Sequence, residues 1–135
     1  MLEFDEWGYI MPPEVHDLTL EEFERTFVID AERERLFKHL LDLVNDLKSR
    51  GATGFYFWVD GSFVTKKRVP RDIDVVAFFG EGDIERMSDF LMSILGHYET
   101  ELDIFFTTAR DEWRWRELFI TDRAGYSKGF IQINF

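Results

Sequence analysis

The chain has 135 residues, a formal net charge of −11 and no cysteine. Without thiols it cannot use a disulfide framework, a cysteine nucleophile or thiolate metal ligands, and a reducing cytoplasm is the expected compartment. The negative charge opposes general nucleic-acid binding, whereas the 45% of hydrophobic residues predicts a packed core in a single domain.

Residues 1–18 are predicted to form an extended N-terminal arm. Pro12 and Pro13 fix φ and withhold backbone donors, which favours extended chain. Three of the first six residues are acidic, so the basic start of a signal peptide is missing. No apolar run in the sequence is long enough to cross a bilayer, and we expect no membrane association.

Two helices are predicted after the arm. Thr19 and Glu22 have the spacing of a capping box, which predicts a short helix. Asp30 is the predicted N-cap of a longer helix that ends at Gly51. Its apolar residues recur along one face, at Leu36, Phe37, Leu40, Leu41, Val44 and Leu47.

Short apolar runs predict strands in the rest of the chain. Residues 55–59, 73–79 and 102–106 are runs of strand length with apolar and aromatic side chains. Residues 84–95 have helical spacing instead, and Gly96 is the predicted end of that helix. The order helix, strand, strand, helix, strand predicts a mixed sheet packed against helices, which is an α+β fold.

The C-terminal part is predicted from weaker patterns. Residues 109–129 fit neither period well, and a short helix followed by a loop is the prediction. Ile131, Ile133 and Phe135 alternate with polar residues, which predicts a terminal strand with one solvent-exposed face.

Candidate chemistry lies around the first two strands. Gly61 lets the backbone come close to a ligand, and Ser62 offers a hydroxyl and an N–H, so this turn is a candidate phosphate site. Asp72 and Asp74 project from one face of the next strand because side chains alternate. Asp103 heads the third strand and meets them if the two strands are neighbours. Carboxylate oxygens are ligands that Mg²⁺ prefers.

Basic residues crowd the connection between the Gly-Ser turn and Asp72. Lys66, Lys67, Arg68 and Arg71 are candidates to face a triphosphate, and a solvated loop is the alternative. With 27 acidic residues in the chain, an Asp-x-Asp pair is also expected by chance as surface charge.

These motifs resemble the nucleotidyltransferase superfamily, which includes DNA polymerase β and the small MNT-type nucleotidyltransferases. The resemblance spans about residues 55–106 and is carried by Gly61-Ser62, Asp72-Ile73-Asp74 and Asp103. More narrowly, the chain looks like a family of small bacterial proteins placed in that superfamily, and this likeness is carried by Trp7-Gly8 through Pro12-Pro13, His16, residues 58–65 and Lys128-Gly129. This second likeness covers nearly the whole chain and implies no substrate.

The resemblance implies a single nucleotidyltransferase-like domain over residues 1–135. Its activity would be transfer of a nucleoside monophosphate from an NTP, ATP first among them, to a hydroxyl of a protein, an RNA or a small molecule. Mg²⁺ or Mn²⁺ is the implied cofactor. The implied catalytic and metal-binding residues are Asp72, Asp74 and Asp103. The implied nucleotide-binding residues are Gly61, Ser62, Lys66, Lys67 and Arg71.

Two alternatives remain open at this point. The first is an antitoxin-like regulatory module of the same fold that acts through a partner protein, by analogy with minimal superfamily members that pair with a helical HEPN-type toxin. The second is a protein that shares only the fold, with its Asp cluster as surface charge. The acceptor molecule, the base preference and the oligomeric state do not follow from the residues.

Overall fold

The computed structural model describes residues 2–66, 69–98 and 100–135. Two short strands, β1 (Glu3–Phe4) and β2 (Ile10–Met11), form an antiparallel pair near the N-terminus. The main sheet has five strands, which are β3 (Val15–Leu18), β4 (Tyr56–Asp60), β5 (Ile73–Phe79), β6 (Leu102–Thr108) and β7 (Phe130–Asn134). The α-helices within these ranges are α1 (Leu20–Phe27), α2 (Ala31–Ser49), α3 (Glu81–Tyr98) and α4 (Glu112–Phe119).

The main sheet is mixed, with the strand order β3-β7-β4-β5-β6. Strand β4 runs antiparallel to both of its neighbours, whereas β5 and β6, and also β3 and β7, are parallel pairs. The predicted α+β class is confirmed. None of the helices in the described part of the chain is long and apolar enough to cross a membrane.

Side-chain alternation divides the sheet into two differently covered faces. Residues such as Phe57, Val75 and Ile133 face α1, α2 and α3 in the main hydrophobic core. Trp58 and Val76 point the other way, into a smaller cluster that Phe119 of α4 covers. The site described below lies on this second face.

Local capping explains why α1 and α2 begin where predicted. The Thr19 hydroxyl accepts a hydrogen bond from the Glu22 amide at 3.1 Å, and the Glu22 carboxylate accepts one from the Thr19 amide at 3.0 Å. Asp30 accepts from the Arg33 amide at 2.8 Å. Helix α2 ends just before Gly51, which has a φ of +84°.

Helix α3 does not end at Gly96, so that prediction is wrong. The helix continues to Tyr98, whose ring is buried and whose hydroxyl donates to the Asp46 carboxylate of α2 at 2.8 Å. A glycine within a helix costs about 1 kcal/mol, whereas burying a large side chain stabilises by about 1.5–3 kcal/mol. The tertiary contact therefore outweighs the local stop signal.

The sheet also extends further than the sequence indicates. The segment predicted as an arm contains β3, which pairs in parallel with β7 and forms one edge of the main sheet. The predicted solvent-exposed face of β7 is open only at its C-terminal end, where Asn134 is exposed. On the same face Gln132 is half-buried and accepts a hydrogen bond from the Trp58 indole at 2.9 Å, and Phe130 is buried.

Candidate functional site

Three neighbouring strands each place one aspartate at the same end of the sheet. Asp60, the last residue of β4, is the register partner of Asp74 on β5, and Asp74 is the partner of Asp103 on β6. Register partners on adjacent strands project from the same face. We call Asp60, Asp74 and Asp103 the carboxylate row. Asp72 lies just before β5, close enough to the row for its charge to act on Asp74.

The charges of the row act on one another. Burial first, and then the charges of Asp72, Asp103 and Asp60, raise the pKa of Asp74 to about 7. Burial, followed by the charge of Asp103, also raises the pKa of Asp72. Within the described ranges, the carboxylates of Asp72, Asp74 and Asp103 form no ion pair and accept no hydrogen bond. Negative charge is therefore concentrated here, and the charge of Lys128 opposes it at Asp74 only in part.

Gly61 is required where β4 turns away from the row. Its φ is +80°, and a Cβ at this position would lie 2.2 Å from Oδ2 of Asp74. The sequence suggested that Gly61 lets a ligand approach the backbone, and the structure shows the Asp74 carboxylate in that close approach. A side chain at residue 61 would both strain the backbone and displace the central carboxylate.

A buried arginine holds the turn that follows Gly61. Arg33 of α2 is 2% exposed, and its guanidinium donates to the carbonyls of Ser62 at 3.1 Å, Phe63 at 3.3 Å and Thr65 at 2.9 Å. It also pairs with Asp30 at 2.5 Å. Because these carbonyls point at the guanidinium, the turn carrying Ser62 has a fixed orientation beside the row. Arg33 lies in a charged stretch of helix, and nothing in the sequence marked it.

Asp60 differs from the rest of the row because it has its own cation. The Lys128 ammonium donates to the Asp60 carboxylate and, at 2.7 Å, to the Phe119 carbonyl. Both charged side chains are buried. Burial raises the pKa of Asp60, while Lys128 and the Gly61 amide oppose that rise. Both residues belong to the segments that carry the narrower family resemblance, but neither was predicted to have a role in the site. The position of Asp60, at the end of an apolar strand and just before the Gly-Ser turn, was an available signal.

Of the predicted basic residues that the structure describes, Lys66 is turned away from the row. The Lys66 ammonium lies 3.3 Å from the Thr26 carbonyl and 5.0 Å from the centre of the Phe4 ring, so its side chain faces α1 and β1. Arg71 is exposed. Lys67, like its neighbour Arg68, lies outside the described residues.

Arg116 of α4 is a cation that the prediction did not include. Its guanidinium carbon lies 5.3 Å from the centre of the Trp58 ring. Trp58 precedes Asp60 by two residues on the same face of β4, so this guanidinium lies over the side chains next to the row. No sequence pattern indicated this position, because it depends on how α4 packs on the sheet.

The carboxylates of the row and of Asp72 are suitable ligands for a hard cation, although they are not arranged as a complete binding site. Carboxylate oxygens are the ligands that Mg²⁺ prefers. Among the described residues, however, no group of three or more His, Asp and Glu side chains is arranged so that it could hold a metal ion. Asp72 is half-buried and Asp103 is exposed, so both can turn. A cation at the row would have to draw them towards Asp74.

Comparison with known proteins assigns the family. No curated protein and no solved structure matches the chain. A family model described as a family of unknown function, DUF6932, matches residues 2–134, which is nearly the whole length. The chain therefore belongs to the DUF6932 family.

Proposed function

We propose that this protein is a Mg²⁺-dependent nucleotidyltransferase that moves a nucleoside monophosphate from an NTP to a hydroxyl acceptor. The observation that carries the proposal is the carboxylate row, in which three neighbouring strands place Asp60, Asp74 and Asp103 on one face beside Asp72. Asp74 at the centre of the row is partly buried, and within the described residues Asp60 is the only member of the row that forms an ion pair with a cation. The remaining negative charge favours a ligand that brings positive charge.

Asp72, Asp74 and Asp103 would hold the metal in this proposal. When bound, Mg²⁺ would supply charge stabilisation for the triphosphate and for the leaving pyrophosphate. Asp60 would stay with Lys128, because that pair is already neutral and buried. Its role would be to keep the β4 end of the carboxylate row in place.

The reaction forms one bond and breaks one. The acceptor oxygen bonds to the α-phosphorus, the bridging P–O bond between the α- and β-phosphates breaks, and pyrophosphate leaves with that electron pair. The hydroxyl proton passes to a carboxylate oxygen of Asp103, which is exposed and so open to an acceptor. Ser62 would offer its hydroxyl to the terminal phosphates, with Arg33 fixing the turn that carries it.

A second candidate function has its own supporting observation. Because no preassembled metal-binding group is found in the ranges that the structure describes, an antitoxin-like module acting through a partner protein is the alternative. Such a module would keep the fold and would not need all of the carboxylates. It predicts no transfer of nucleotide to any acceptor.

Labelled nucleotides distinguish the two functions. The protein is incubated with α-labelled ATP, GTP, CTP or UTP, Mg²⁺ or Mn²⁺, and cell extract, and label is sought on protein, RNA and small molecules. We expect transfer by the wild type and by Asp89→Asn, which removes an exposed charge on α3. Asp74→Asn should lose transfer. Transfer that is equal in Asp74→Asn, or absent from the wild type with every nucleotide, would overturn the proposal.

A further inference from the structure

An aromatic surface adjoins the carboxylate row on the same face of the sheet. Phe105 follows Asp103 by two residues on β6, and its register partner is Val76 of the smaller cluster. Its side chain is 50% exposed, although it is a phenylalanine within a strand. The Trp115 ring of α4 lies 4.9 Å from the Phe105 ring, centre to centre. Exposed aromatic surface is therefore continuous with the proposed metal site.

The aromatic pair is rigidly supported from behind. Trp115 lies 5.7 Å from Phe119, and Phe119 lies 5.5 Å from Phe130. Phe130 in turn packs against Trp58 at 5.0 Å, so the rings form one chain from the sheet edge to its centre. Close packing behind a ring reduces the entropy that a ligand has to remove on binding. The two rings are thus held in place, with the Phe105 and Trp115 planes tilted by 48° to each other.

The position of Phe105 and Trp115 relative to Asp103 suits the base of a nucleotide. Residues two apart on a strand are about 7 Å apart along the chain direction. A phosphate bound through a cation at Asp103 would have its ribose and base within reach of Phe105. Every nucleobase has an apolar π-face, and stacking on an aromatic side chain is a general way to bind one.

We propose that Phe105 and Trp115 form the subsite that stacks on the nucleobase of the nucleoside triphosphate. This inference rests on the proposed nucleotidyltransferase function and adds the part of the substrate that the carboxylates do not contact. A purine offers a larger stacking area than a pyrimidine, so purine nucleotides should bind more tightly at this subsite. Both residues are binding residues and take no part in the bond changes.

Comparison of a nucleotide with a chain of phosphates tests the subsite separately from the metal site. Binding of ATP and of inorganic tripolyphosphate is measured by calorimetry with Mg²⁺ and the full-length protein. Phe105→Ala should weaken ATP binding about tenfold or more and leave tripolyphosphate binding unchanged. Phe105→Trp should retain ATP binding. The matched control is Trp113→Ala, because Trp113 is 59% exposed on the same helix as Trp115. This variant should bind ATP and tripolyphosphate as tightly as the wild type does.

The outcomes separate failure of the subsite from failure of the function. If Phe105→Ala binds ATP as the wild type does, or if the wild type binds tripolyphosphate as tightly as ATP, the stacking subsite is overturned and the metal site stands. If the wild type binds neither ligand, the nucleotidyltransferase function is overturned and the subsite with it. Phe105 is half exposed, so its replacement should leave the fold intact, and thermal unfolding of the variant checks this.

Discussion

Replacing Asp74 with Asn removes one charge from the row without changing the shape that packs against Gly61. The pKa of Asp74 is raised from 3.8 to about 7 by burial and then by the neighbouring carboxylates. A carboxyl with a raised folded-state pKa destabilises the fold when ionised, and the cost grows as the pH rises from about 4 to about 7. At about 1.4 kcal/mol per tenfold change in acidity, the cost at pH 8 is at most about 4 kcal/mol, or about 2 kcal/mol after solvent screening.

Urea unfolding of wild type and Asp74→Asn at about pH 4.5 and about pH 8 measures this cost. We expect the variant to be more stable than the wild type by about 2 kcal/mol at the higher pH and by much less at the lower pH. Asp89→Asn makes the same change of charge on the exposed face of α3, and it should stay within about 0.5 kcal/mol of the wild type at both values. Parallel pH dependences in Asp74→Asn and the wild type would refute the reasoning.

The same variants test whether the carboxylate row binds a metal ion. A cation that binds only the folded protein stabilises it by RT ln(1 + [L]/Kd), so millimolar Mg²⁺ or Mn²⁺ should raise the melting temperature of the wild type. Asp74→Asn should lose most of this response, while Asp89→Asn should keep it. If Asp74→Asn responds to the cation as strongly as the wild type, the row is not a metal site.

Three further changes test the surroundings of the row by urea unfolding. Gly61→Ala should destabilise by about 2 kcal/mol or more, and by less when Asp74→Ala removes the clashing oxygen; additive losses would contradict the close approach. Lys128→Met should lower the free energy of unfolding by about 3–5 kcal/mol, because Asp60 is left buried without its cation. Adding Asp60→Asn to this variant should recover part of that loss, and no recovery would argue against the ion pair. Arg33→Met should lower the free energy of unfolding by about 2–4 kcal/mol, because the hydrogen bonds to the three carbonyls are lost. Arg33→Lys should have an intermediate stability. If Arg33→Met is as stable as the wild type, these contacts do not hold the turn.

The elements of the fold were predictable where their signals are local. Thr19 and Asp30 are capping residues whose partners lie within three positions, and the buried strands are short apolar runs. The end of α3 was not predictable, because the residue that opposes Gly96 is Tyr98 acting through Asp46 on another helix. The pairing of β3 with β7 joins segments from opposite ends of the chain, and no local pattern contains that information.

The candidate site also contains residues that were predictable from the sequence and residues that were not. Asp72 and Asp74 were predicted from alternation along one strand, and Asp103 was predicted on the condition that its strand is a neighbour, which the β5–β6 register shows it to be. Asp60 entered the row only through the β4–β5 register. Its partner Lys128 lies 68 positions away in the sequence, so the ion pair appears only after folding.

The distribution of countercharge within the row argues for a ligand rather than for a structural role. Asp60 is the most buried of the aspartates, and the fold supplies it with Lys128 and the Gly61 amide. Asp74 lies beside it and accepts no hydrogen bond from a described residue, and burial and the neighbouring carboxylates raise its pKa although the charge of Lys128 opposes them. An asparagine there would keep the contact with Gly61 and carry no charge. A carboxylate retained at a destabilising position is typical of functional sites, where a bound cation supplies the charge that the protein omits.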